Sequence, residues 1–182
     1  MKKIILITML LGFSLGTYAQ DEQVANGGHT DKGKFVIDAN TTLGSIGGIG
    51  IGGGGTSFLL TSVEGTTIWN IGAEVGYFVI DDLAIKAGFG YGDLYGRSLV
   101  SYKFGAKYYA ASSILIQIDL SGQGGKDYFF TVKPSYLGFQ AGYAFFIGDM
   151  VSLEPALRYS LSLNSDNYEN IFQLQMGFSI FL

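Results

Sequence analysis

The chain has 182 residues, a formal net charge of −4, no cysteine, two prolines, 28 glycines and 15% aromatic residues. The acidic balance argues against nucleic acid or an anionic surface as partner. Without cysteine, stability has to come from something other than disulfides.

The N-terminal stretch MKKIILITMLLGFSLGTYAQ places Lys2 and Lys3 before an apolar run from Ile4 to Leu15, followed by the small residues Thr17 and Ala19. This is the pattern of a cleaved secretory signal, read here as residues 1–19. The rival reading, a membrane-anchoring helix, needs ~20 consecutive apolar residues, and the run is shorter than that. No cysteine follows Ala19 to carry a lipid anchor. Beyond the signal no apolar run reaches spanning length, so an exported, membrane-bound product would have to cross as a barrel. Residues 20–33, polar and glycine-containing, read as a flexible periplasmic leader, and residues 34–182 as one barrel domain.

From Lys34 the sequence alternates with a period of two, the mark of strands with one apolar face. The first segment sets Phe35, Ile37, Ala39 and Leu43 against Asp38, Asn40 and Thr42. A glycine-rich stretch from about Ser45 to Thr66 reads as a long outer loop. The second segment, Thr67 to Val79, sets Trp69, Ile71, Ala73, Val75 and Tyr77 against Asn70, Gly72, Glu74 and Gly76. A turn at Asp81-Asp82 leads to the third, Leu83 to Tyr91, with Lys86, Gly88 and Gly90 on its polar side. In the fourth, Ser98 to Ala110, the polar side carries Ser101, Lys103, Gly105 and Lys107. The fifth sets Ile114, Ile116, Ile118 and Leu120 against Gln117, Asp119 and Ser121. The sixth, roughly Phe130 to Phe146, puts Leu137, Phe139 and Ala141 opposite Gly138, Gln140 and Gly142. In the seventh, Val151, Leu153, Leu157 and Tyr159 face away from Glu154 and Arg158, and Pro155 on the apolar side points to a bulge because it lacks a ladder donor. The eighth is FQLQMGFSIFL, in which Phe172, Leu174, Met176, Phe178, Ile180 and Leu182 are apolar and the interleaved set is mostly polar or small.

Eight such segments predict an all-β fold, an eight-stranded antiparallel up-and-down transmembrane β-barrel closed by pairing of the last strand with the first. Short turns after strands two, four and six would lie in the periplasm with both ends of the chain, and longer connections outside. Trp69, Tyr91 and Tyr102 fall at the outer ends of strands, and Tyr77, Tyr108 and Tyr143 at the inner ends, as two interface girdles would require. A soluble lipocalin-like barrel is the alternative. Its exterior would be densely charged, whereas the polar faces here are dominated by Gly, Ser, Asn and Gln.

The signal, the stretch NIGAEVGYFVIDDLAIKAGFGYG and the closing FQLQMGFSIFL resemble the bacterial outer-membrane β-barrel domain family, the small porin-family proteins of the OmpX and OmpW kind. The resemblance covers nearly the whole mature chain. It implies residence in the bacterial outer membrane, contact with its lipid, and delivery by the barrel-assembly machinery. In that family a final strand with a terminal aromatic acts as assembly signal. The matching positions here are Phe178, Ile180, Phe181 and Leu182, with the departure that Leu182 follows the aromatic residue.

Candidate chemistry is sparse. GGIGIGGGGT contains Gly48-x-Gly50-x-x-Gly53, but no helix follows, so a dinucleotide site is not expected and no cofactor is implied. His29, the one histidine, lies in the leader, so no strand supplies the base for a Ser/His mechanism. A lone histidine is equally poor as a metal site. The polar faces gather Asp38, Glu74, Lys86, Lys103, Lys107, Asp119, Glu154 and Arg158 in the lumen. They read either as a selectivity lining or, better in so narrow a barrel, as a paired and hydrogen-bonded plug. Lys103 and Lys107 would neighbour Asp119, and Gly138 and Gly142 would leave room for Arg158 and Glu154. Three function classes follow in order: a structural or surface-interaction barrel presenting outer loops to an extracellular ligand, a narrow channel or transporter for small or apolar molecules, and a lipid-modifying enzyme.

Overall fold

The computed structural model describes residues 28–46, 56–63, 66–94, 96–125 and 133–182. The signal, most of the leader and the Gly48 to Gly53 motif lie outside them. In chain order the strands are β1 (Phe35–Ile46), β2 (Ser57–Val63), β3 (Thr66–Ile80), β4 (Leu83–Leu94), β5 (Arg97–Ala110), β6 (Ile114–Gly124), β7 (Ser135–Tyr143), β8 (Phe145–Ile147), β9 (Val151–Ser162) and β10 (Ile171–Phe181).

The sheet closes on itself. β10 pairs with β9 on one side and with β1 on the other, from Val36↔Phe181 to Ile46↔Phe172. Backbone bonds between Phe35 and Leu182, 2.9 and 3.0 Å, extend that ladder to its end. Closure gives every ring strand a neighbour on both sides over at least part of its length, which satisfies most of the strands' backbone donors and acceptors without water.

Nine strands form the ring and β8 lies outside it, which corrects the expected eight. The extra member is β2, in the stretch read as an outer loop. It forms a hairpin with β3, from Val63↔Thr66 to Leu59↔Asn70, and touches β1 at Asn40↔Ser57 and Thr41↔Phe58. At the other end of the same seam β1 and β3 pair directly, from Phe35↔Tyr77 to Asp38↔Glu74. An odd ring cannot alternate throughout, so one neighbouring pair must run parallel, and that pair is β1 with β2.

The expected sixth strand is divided into β7 and β8. The ladder to β9 is intact at Gly142↔Ala156 and resumes at Phe145↔Leu153. The interruption lies opposite Glu154 and Pro155, where the proline offers no N–H. The Ala144 amide turns instead to the Ser113 carbonyl at 2.7 Å.

Short turns gather at one end, here the turn end, together with the start of β1 and the finish of β10. Ala111 and Ser112 both adopt positive φ, 49° and 60°, as a two-residue hairpin turn demands. Asp82 does the same at φ 64°. At the opposite loop end, β4 and β5 are also joined tightly, with Leu94 paired to Arg97. The expected long connection there is therefore short, and the Gly96 amide donates to Asp93 Oδ1 at 2.7 Å.

Residues 28–33, expected to belong to a mobile leader, are held against the turn end. The Gly33 amide donates to the Phe78 carbonyl at 2.9 Å, and the Asp82 amide to the Thr30 carbonyl at 2.8 Å. The Lys32 amide donates to Asp81 Oδ1 at 2.9 Å.

Candidate functional site

Alternation decides which residues enter the lumen. On β3, Asn70, Glu74, Gly76 and Phe78 are buried while Trp69, Ile71, Val75 and Tyr77 are exposed, and the same parity runs through β4, β5, β6, β9 and β10. The exposed set is the apolar one: Phe89 and Phe104 are each 61% accessible. The buried set is polar, and Glu74 and Arg158 are completely covered. The barrel is thus inverted relative to a soluble core.

All eight charged residues expected in the lumen lie there, and each has an opposite-charge partner. Six form a chain of alternating sign across the interior. Lys103 Nζ meets Glu74 Oε1 at 2.6 Å, and Glu74 Oε2 meets Lys86 Nζ at 2.7 Å. Lys86 also pairs with Asp38, whose Oδ2 accepts from Lys107 Nζ at 2.9 Å, and Lys107 pairs on its far side with Glu154. The remaining two form a forked pair, Arg158 Nη1 and Nη2 each donating to one oxygen of Asp119 at 2.6 Å. Four acids against four bases leave this lattice neutral, as a dry interior requires.

Neutral side chains complete it. Gln117 joins the two ionic groups, accepting from Lys86 Nζ at 3.1 Å and donating to Asp119 Oδ2 at 2.9 Å. Glu154 Oε1 accepts from the Tyr109 hydroxyl at 2.9 Å and the Ser152 hydroxyl at 2.8 Å. Glu74 Oε1 accepts from the Thr56 hydroxyl at 2.8 Å, so the residue leading into β2 sits inside the barrel. Alternation places Gln117, Tyr109 and Ser152 on the inward faces of their strands, but it assigns no bonding role to them, and it does not reach Thr56.

Register explains who meets whom. Asp119 lies opposite Gly105, between Lys103 and Lys107 as expected, but its carboxylate turns the other way, over Gly138 of β7, to Arg158. Gly138 makes that possible: a Cβ there would stand 2.1 Å from Arg158 Nη2 and 2.8 Å from Asp119 Oδ1. Gly88 has the same use for Thr56, whose Cγ2 would meet a Cβ at 2.7 Å.

Below the lattice, the turn end is filled by rings. Phe181 turns inward and touches Phe78, Tyr109 and Phe146, with centroids 5.4 to 6.3 Å away. His29 stacks on Phe146 at 5.2 Å, closing the mouth from the leader side. The only histidine therefore lies at the opposite end from the outer loops where the sequence reading would have needed a catalytic base. Beside the ionic groups the lining is amide and hydroxyl, with Ser121 Oγ opposite Lys103, Gln140 Oε1 opposite Arg158, and Gln175 Oε1, all buried and lacking a protein partner.

The six aromatic residues expected at interfaces are on the outward face. Trp69 packs edge-on to Tyr91 at 5.8 Å near the loop end, where Tyr91 donates to Ser98 Oγ at 3.1 Å, and Tyr102 is exposed on β5. Tyr77 packs on Phe35 at 5.0 Å and Tyr143 on Phe145 at 4.7 Å near the turn end, with Tyr108 exposed on β5. Of the four closing residues, Phe178 and Leu182 are exposed, Ile180 is half-buried and Phe181 is buried in the plug.

No protein-family model matches the chain, and no curated protein matches it in sequence. Solved structures similar to it include bacterial outer-membrane barrels and de novo designed transmembrane barrels. The N-terminal β-barrel domain of OprF from Pseudomonas aeruginosa is 16% identical over 82% of this chain and 98% of that one, with a TM-score of 0.49. Ail from Yersinia pestis is 13% identical over 82% and 100%, with a TM-score of 0.44. Neisserial surface protein A is 17% identical over 81% and 93%, with a TM-score of 0.43.

Proposed function

We propose that the chain is an integral protein of the bacterial outer membrane, a structural or surface-interaction barrel of the adhesion-like kind whose polar lumen is a packed plug. The observation that carries this reading is the inverted polarity. A belt of exposed Ile, Val, Leu and Phe suits hydrocarbon, and a self-neutralised ionic lattice fills the space a channel would leave open. Phe181, Phe78 and Tyr109 seal the turn end beneath it. With the interior occupied and no Ser/His pair in the barrel, what remains for interaction is the loop end.

The channel reading draws on the neutral side chains among the charges, where unpartnered oxygens of Ser121, Gln140 and Gln175 suit water. One experiment separates the two. The chain should be recovered in the outer-membrane fraction as a heat-modifiable species and, in planar lipid bilayers, should give no discrete conductance steps. Reproducible steps would favour the channel, and a detergent-independent soluble monomer would defeat both.

A further inference from the structure

We infer that β2 is an exchangeable strand, and that the same chain closes either as the observed nine-membered ring or as an eight-membered ring in which β1 and β3 zip together and β2 is released at the loop end. The observation is a shared register. The direct β1–β3 ladder stops at Asp38↔Glu74, where β2 enters the seam. Continued without slippage it pairs Ala39 with Ala73, Asn40 with Gly72, Thr41 with Ile71 and Thr42 with Asn70. Every one of these pairs matches inward with inward and outward with outward, so no side chain changes face. Beyond the irregularity between Thr42 and Gly44, the remaining residues of β1 reach Ile46 as β3 runs back toward Thr66.

The two rings use similar amounts of backbone pairing. β2 contributes five residue pairs with β3 and two with β1. Its release frees Ala39 to Ile46 to pair with β3 instead. On its outward face β2 carries Phe58 and Leu60, 53% and 65% exposed as on the other strands, and on its inward face Leu59 packs against Ile68 and Leu99. Its polar ties are the Thr41 hydroxyl to the Phe58 carbonyl at 3.0 Å, the Asn70 amide to the Ser57 carbonyl, and Thr56 to Glu74. The ionic lattice does not oppose the exchange, because its eight charges lie on β1, β3, β4, β5, β6 and β9 and none on β2. Two packings of one sequence that share a core and differ at one seam are the kind of bistable element a ligand at the loop end can bias. The exchange concerns the ring itself and stands whether or not the surface role proposed above does.

The absence of native cysteine makes the test direct. In the nine-membered ring Thr41 adjoins Phe58, with Phe58 standing between it and Ile71. Adjacent strands bring Cα atoms to ~4.5–5.5 Å, within disulfide reach, whereas two strand spacings, ~9.5 Å, are beyond it. The full chain carrying Thr41→Cys with Phe58→Cys, or Thr41→Cys with Ile71→Cys, is folded reduced in detergent, checked for heat-modifiability, and then oxidised. Both variants should form the disulfide. Chymotrypsin should then cut at Phe58 to Leu60 in the oxidised Thr41/Ile71 form and not in the cysteine-free protein, which keeps the same Phe58-Leu59-Leu60 site. Oxidation of only one of the two pairs would overturn the proposal, since it would fix the ring at nine or at eight, and so would equal resistance of the oxidised Thr41/Ile71 form and the cysteine-free protein to the protease.

Discussion

At the scale of single residues, the most constrained group is the forked pair of Arg158 and Asp119. Both side chains are fully buried, and the guanidinium lies over Gly138, where even a methyl group would collide with it. Burial of two ions is costly unless each satisfies the other, so removing one partner is worse than removing both. Arg158→Met should therefore lower stability by about 3 to 5 kcal/mol, because Asp119 is left as a buried charge. Adding Asp119→Leu to it should restore most of the loss. Urea unfolding in lipid vesicles, followed by the fluorescence of Trp69, the single tryptophan, reads both values. A double variant weaker than Arg158→Met alone would mean that the pair contributes packing the apolar side chains cannot replace.

At the scale of elements, the strands divide the chain between two environments, and position along a strand sets how strongly each is enforced. Phe104 lies in the middle of β5, paired with Ala87 and Leu120, and is 61% exposed. Ile180 is near the finish of β10, paired with Ile37 and Val151, and half-buried. If the outward face lies in hydrocarbon, Phe104→Lys should oppose insertion by ~2–4 kcal/mol and Ile180→Lys by only ~0–1. Folding titrations into vesicles would measure the two, and equal effects would contradict the depth assigned to them. Eight of the nine ring strands were legible because period-two alternation is what a two-sided sheet imposes on sequence. β2 was not, because Phe58-Leu59-Leu60 is a continuous apolar triplet entered from a glycine-rich stretch. The tight Val63 to Thr66 hairpin was its one clear signal. The inward charges were legible for the same reason as the strands. Their partners were not, since Lys107 of β5 meets Asp38 of β1 and Glu154 of β9 across the lumen, a neighbourhood that depends on stagger around the ring.

At the scale of the whole molecule, that stagger and the closure of the ring are one property. Ladder pairs followed from Ser162 of β9 through Tyr136, Ser121, Lys103, Gly88, Glu74, Asp38 and Ser179 return to β9 at Ser152, ten residues away. A staggered ring of this kind tilts its strands and brings distant inward residues to one level. Phe181 joins closure to packing: its amide donates to the Met150 carbonyl at 2.8 Å, its backbone pairs with Val36, and its ring is the hub of the turn-end plug. The two contributions can be separated. Phe181→Ala keeps the ladder and removes the hub, and should cost about 3 to 5 kcal/mol as a buried aromatic truncation while leaving assembly intact. Deleting Phe181 and Leu182 also removes the paired bonds between Leu182 and Phe35, leaving the edge of β1 unpaired at the rim. Heat-modifiable protein should then fall further for the deletion than for Phe181→Ala. Equal yields of the two would show that the last ladder bonds add nothing to closure.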